Sequence, residues 1–259
     1  MHLEREGKAS DLNSFIGLDM AWRIDGNHSG IAVMVGNATH VHLQSISTDV
    51  TSMTGVVNFV AAHASADAVV AIDAPLVVNN ATGQRECERI ITGRFGSFHA
   101  GCHASNLGHP HTAIGGRLVD ELVKRGFEHA FVLSEAKERP GKWVFEVYPH
   151  PAMIRLFGLD HIIRYKKGRI AEKRAGLMVL RQHLRELADG SRGLVASSKL
   201  IDALECDMTI LRGKALKRYE DTLDAIFCAY LAWHCWRWGA ERNEMFGTFA
   251  DGYIVVPKA

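Results

Sequence analysis

The sequence predicts an α/β fold: a mixed sheet that opens as an antiparallel three-strand meander and continues in parallel strands, flanked by helices and interrupted by a loop-rich insertion. Three observations predict it. Apolar runs at 14–22, 30–36 and 40–47 are parted by short stretches rich in turn residues. A helical pattern at 51–64 then leads into another apolar run at 67–73, the order of a strand, a crossover helix and a parallel strand. Long helical periodicities fill the C-terminal half.

"SFIGLDMAW" (14–22) reads as a buried strand ending near Asp19. "GNAT" separates the next two runs, which therefore form a hairpin. In 51–64, Val56, Val57, Val60, Ala61 and Ala64 recur at helical spacing. "DAVVAID" is a buried strand with Asp73 at its end, because Pro75 blocks continuation. Residues 75–113, rich in Gly, His and Asn, read as the insertion, with one short helix around 83–92. An amphipathic helix spans 115–127, ended by Gly126. "KWVFEVYPHP" (142–151) is a strand closed by Pro149, with Trp143, Phe145 and Val147 on one face and Val144, Glu146 and Tyr148 on the other. Leu177, Leu180, Leu184 and Leu187 form the seam of a helix over 169–187. Further helices are expected over 196–211 and from about 217 to 239, and "GYIVVP" (252–257) as a closing edge strand. A polar tail over 1–13 and one domain over 14–259 complete the organisation.

The net charge of +1 names no partner, so a nucleic-acid signal has to come from local clusters. The five cysteines are scattered and form no CxxC pair, which suits a reducing cytosol better than a disulfide framework. The polar N-terminus lacks an apolar signal core, and no run of 18 apolar residues occurs. A cytoplasmic protein without a membrane span is expected.

The acids carry the chemical signal. Asp19 and Asp73 end apolar strands, Glu146 is embedded in one, and Asp221 and Asp224 share a face near the start of the last helix. That face continues through Cys228, Leu231 and Cys235, so Asp224 lies on the inward stripe. In open α/β sheets, sites form beyond the C-terminal strand ends. Carboxylates converging there repel one another and raise each other's pKa, a cost that a divalent cation removes. Oxygen ligands favour Mg2+ or Mn2+. Each acid also has a simpler role open to it: Asp19 can bond loop backbone, Asp221 can cap a helix, Asp224 can complement the helix dipole, and Glu146 can pair with an arginine.

The segments "FIGLDMAW", "AIDAPL", "FEVYPHPA", "RYKKG" and "YEDTLDAIFCAYLAW" resemble the ribonuclease-H-like superfamily, and most of all the domain-of-unknown-function family 429, described as predicted nucleases. The resemblance runs from about residue 14 over nearly the whole chain. It implies a ribonuclease-H-like fold and metal-ligating acids on the first strand, the fourth strand and the last helix. By position these are Asp19, Asp73, and Asp221 with Asp224. The first helix here carries no acid, a departure from ribonuclease H itself, and the D-x-x-D spacing is more like that of the Holliday-junction resolvases. The implied activity is phosphodiester hydrolysis with two divalent cations, Asp19 bridging them, Asp73 and Asp224 on either side, and Asp221 or Glu146 completing the set.

A nuclease needs cations for the phosphates. "RYKKGRIAEKR" (164–174) offers Lys166 and Lys167, with Tyr165 placed to stack on a base. Arg85 and Arg94 in the insertion stand within reach of a site at Asp73. The His/Cys-rich stretch 98–111 fits no zinc-finger spacing and reads as a lid. Trp233, Trp236 and Trp238 read as core or as the interface of a homodimer. The leading expectation is a metal-dependent nuclease with a nucleic-acid partner. An actin- or sugar-kinase-like phosphotransferase is an alternative, although glycine-rich phosphate loops are thin here; a non-catalytic nucleic-acid-binding or assembly module is another.

Overall fold

Period-two alternation of apolar residues builds the centre of the molecule, which we describe from a computed structural model covering residues 12–21, 26–109, 111–129 and 131–259. The expected tail lies outside the described residues apart from positions 12 and 13, as does Trp22 of the first apolar run. Strands β1 (Asn13–Asp19), β2 (Ser29–Gly36) and β3 (Val41–Val50) form the antiparallel meander. The turn between β2 and β3 is held by Asn37, whose side-chain oxygen accepts from the backbone of Thr39 and His40. Helix α1 (Met53–His63), capped by Ser52, returns the chain to β4 (Ala68–Asp73), which lies parallel to β1. Then come α2 (Glu86–Phe95), α3 (Ala113–Val123) and β5 (Lys142–Glu146), parallel to β4. Gly126, at φ +85°, turns the chain out of α3, with Phe127 N–H bonded to Leu122 O and Gly126 N–H to Val123 O.

The expected strand over 142–151 is shorter. It stops at Glu146, and α4 (Pro149–Phe157) begins at the proline, whose fixed φ and missing N–H suit the first turn of a helix. Helix α5 (Ile170–Leu187) buries all four seam leucines. A two-residue strand β6 (Leu194–Val195), missed by the sequence reading, extends the sheet beside β3. Helix α6 (Ser198–Leu204) is shorter than the expected 196–211, and α7 (Gly213–Arg242) starts earlier than expected, with its helical path broken at Gly239. "GYIVVP" is a strand, β8 (Gly252–Pro257), but it pairs with β7 (Asn243–Thr248) in a separate hairpin. That hairpin touches the main sheet beside β5 through a single bridge, Val147 to Val255.

The main sheet is mixed, in the order β5-β4-β1-β2-β3-β6, with helices on both faces. Phe15, Met34, Val69 and Phe145 point to the face covered by α5 and α7. Ile16, Val33, Val70 and Val144 point to the other, covered by α1 and α3. Helix α7 lies so close that a side chain on Gly17 would collide with the backbone of Ala225 and Ala229, and one on Gly30 with the Asp221 carbonyl. Among the described residues, no helix is long and apolar enough to cross a membrane.

Candidate functional site

Strand parity decides which acids meet. Asp19 shares the face of Phe15 and Gly17, and Asp73 the face of Val69 and Ala71, so both point toward α7. They are register partners at the C-terminal ends of β1 and β4. Helix α7 brings Asp224 against them, fully buried among Leu223, Ala225 and Cys228. Because α7 starts at Gly213, Asp221 sits in its third turn and Asp224 in its fourth. Asp221 is therefore no helix cap, and Asp224 lies beyond the first-turn dipole.

Two residues of the loop between α4 and α5 close over Asp224. The Tyr165 hydroxyl donates to its Oδ1 at 2.6 Å. Lys166 Nζ stands 3.0 Å from Oδ2 and 3.9 Å from Asp73 Oδ2. The contact to Oδ2 lacks hydrogen-bond geometry, so that buried oxygen has no hydrogen-bond partner. Asp221 is held by Lys217, which donates to its Oδ1 at 2.6 Å and to Glu220 Oε1 at 2.8 Å.

The electrostatics follow from this crowding. Burial pushes the Asp19 carboxyl well above the usual range; Asp224 and Asp73 push the same way, while Lys166 and Lys217 pull it down. Asp73 is pushed up to about 6, by burial first and then by Asp224 and Glu146, against Lys166. Burial works against the charge of Lys166, but Asp224, Tyr165, Asp19 and Asp73 hold it well above an ordinary lysine. Lys166 thus serves all three carboxylates, and Lys217 adds a weaker pull on Asp19 and Asp73. As the side chains stand, no three His, Cys, Asp or Glu among the described residues are gathered closely enough to hold a metal ion. The donor set is nonetheless the kind that magnesium or manganese takes: carboxylate oxygens, one of them buried and free of any hydrogen bond.

The other expected site residues are placed differently. Glu146 pairs in register with Ile72 and points to the opposite face. There it accepts from Arg85 Nη1 at 2.8 Å and Nη2 at 2.6 Å, and from Leu76 N–H at 2.9 Å. Its simpler expected role, pairing with an arginine, is the one the structure shows. Arg85 is buried, and also donates to Glu88 and to Val77 O, so its guanidinium is fully committed. Arg94 lies outside the cavity, against Glu244 and the Phe246 ring. Tyr165 is buried beneath Asp224 and presents no face to a base. Trp233 is core, whereas Trp236 and Trp238 are only partly buried.

A cavity of about 1470 Å³ opens over Asp19, Asp73 and Asp221, with Asp224 buried behind them; Arg85 and Glu146 also form part of its lining. Lys167 lines it as expected, joined by Lys214, Lys217 and Arg218 from the first turns of α7, which sequence reasoning missed. The signal that could have found them is the basic run "GKALKR", most of which precedes the expected helix start at about 217. His150 was missed as well. It lines the cavity from the first turn of α4, its ring 5.8 Å from Tyr165, and burial holds it down to about 4. The stretch 98–111 contributes His99 and His103 as part of a wall.

Neither the curated proteins nor the solved structures include a match to the chain. A family model does match, that of a protein of unknown function (DUF429), over residues 23–244. The matched stretch holds Asp73, Lys166, Asp221 and Asp224 and the elements that carry them, while Asp19 lies just before it. The chain therefore belongs to the DUF429 family.

Proposed function

We propose that this protein is a metal-dependent phosphodiester hydrolase of ribonuclease-H-like fold that acts on nucleic acid. The observation that carries the reading is the convergence of Asp19 and Asp73 at the floor of a cavity rimmed by lysines and arginine, with Asp221 in its lining and Asp224 buried behind them, linked to Asp73 through Lys166. An antiparallel meander, a fourth strand parallel to the first, and acids on the first strand, the fourth strand and the last helix agree with what the resemblance implies. Asp19, Asp73 and Asp224, with Asp221 beside them, would hold Mg2+ or Mn2+. Cations bound there supply an activated water and steady the leaving oxygen.

The chain's own residues do the rest. Tyr165 and the close α7–β1 contact fix the Asp224 carboxylate. Lys166 offsets the acids' charge while no metal is bound and can turn to a phosphate oxygen once one is. Lys167, Lys214 and Arg218 attract and orient the phosphates. The ion pair of Arg85 with Glu146 forms part of the cavity lining beside Asp73 and holds that edge rigid.

The test is cleavage of single-stranded, duplex and branched nucleic acids with magnesium or manganese. Asp19→Asn and Asp224→Asn are expected to lower the rate at least about a hundredfold, the order of loss when transition-state charge stabilisation is removed. Manganese at a hundredfold excess over its Kd is expected to raise the Tm of the wild type by roughly 5–10 °C, and not that of Asp224→Asn. Full activity in either variant would sink the proposed site.

A further inference from the structure

Resting on that reading, we infer that the substrate is a short single-stranded stretch of nucleic acid laid across the strand ends, with unstacked bases met by an imidazole-rich wall that the insertion provides. Strand order sets the direction of the cavity. Its lining passes from the loop before β2 (His28) through Asp19 on β1 and Asp73 on β4 to Val147 after β5 and Ile254 on β8. With neighbouring strands about 4.8 Å apart, those four steps make a trough roughly 20 Å long. The acids lie in its middle.

The two ends differ in chemistry. Beside β2 the lining is cationic, with Lys214, Lys217 and Arg218, the last also bonded to His28. Beyond β5 it carries His99, His103, Tyr148 and His150. This far wall is built: the Tyr148 hydroxyl donates to Gly101 O at 3.2 Å, Ile162 N–H bonds to Phe98 O at 3.0 Å, and the His99 ring lies 5.1 Å from that of His161. His99 holds a left-handed backbone (φ +63°), the only non-glycine with positive φ among the described residues. His150 Nδ1 is buried and has no hydrogen-bond partner. Phosphates need cations, which the near end supplies; flat rings and ring nitrogens serve bases, and only bases out of the stack can reach them. The cavity also exceeds the roughly 300–1,000 Å³ of a drug-sized pocket, as a ligand of several nucleotides requires.

The experiment measures equilibrium binding in EDTA, where no cleavage occurs, using a labelled four-residue single strand and a blunt-ended hairpin duplex long enough to stay paired, in deoxyribose and ribose forms. The single strand is expected to bind at least tenfold more tightly. The pair His99→Ala and His103→Ala, both exposed side chains, is expected to weaken single-strand binding at least fivefold and leave duplex binding unchanged. Lys214→Ala with Arg218→Ala is expected to weaken both. Duplex binding as tight as single-strand binding, histidine variants without effect, or no binding of either probe would overturn the inference. Strand preference without any metal-dependent cleavage would instead refute the hydrolase reading and leave this one standing.

Discussion

Asp73 carries a measurable electrostatic cost. Its carboxyl rises from 3.8 to about 6 in the folded chain. The folded state therefore holds the proton more tightly than the unfolded state. The resulting stability is fully present below pH 3.8 and is lost as pH rises toward 6, a change on the order of 3 kcal/mol. His150 and His234, each held down to about 4 by burial, act in the opposite sense across an overlapping window, so the net profile hides the effect. The difference between proteins reveals it. In EDTA, Asp73→Asn is expected to melt several degrees above the wild type at pH 7.5, with the gap closing by pH 4. A constant gap across that range would show that Asp73 ionises normally. At this scale the sequence was informative about need and silent about partner. An acid inside "KWVFEVY" demands a counter-charge, but Arg85 lies 61 residues away, and nothing local marks it. Tyr165 was misassigned for a similar reason: a tyrosine beside two lysines looks exposed until the fold shows the aspartate above it.

Element by element, the readable features were those with a strong period. Helix α5 follows its leucine seam, and β1, β4 and the core of β5 follow their apolar runs. Boundaries failed where one residue type serves two purposes. Pro149 was read as the end of a strand and is the beginning of α4. Helix α7 starts at Gly213 with no capping side chain to announce it, and this hid its basic first turns. The tight seat of α7 on β1 follows from Gly17, a glycine that looks like a weak point in a strand until the helix backbone is placed over it. Gly17→Ala forces the two elements apart and is expected to cost about 3 kcal/mol or more, lowering Tm by roughly 6–12 °C. A Tm within 2 °C of wild type would mean that the contact is slack. Gly93, which has open space around it, is the control: Gly93→Ala is expected to do no harm.

For the whole molecule, composition was a poor guide and topology a good one. A net charge of +1 gave no hint of a trough cationic at one end, because acids elsewhere cancel it. The order of strands and helices did imply a mixed sheet with helices on both faces, but not that β4 passes β2 and β3 to lie beside β1. That single adjacency makes Asp19 and Asp73 neighbours. The close seating of α7 has one more consequence, for how the molecule comes apart. A helix wedged over β1 and β2 without room for a methyl group cannot lift away while the sheet stays whole. The backbone amides of 223–233 should therefore exchange with deuterium only when the entire chain unfolds, at a rate that reports the global stability. Amides in the 98–109 wall, mostly outside regular structure, should exchange through small local openings many orders of magnitude sooner. Fast exchange at Asp224 would mean that the carboxylates part whenever the helix opens locally; slow exchange would mean that they are set once, when the chain folds.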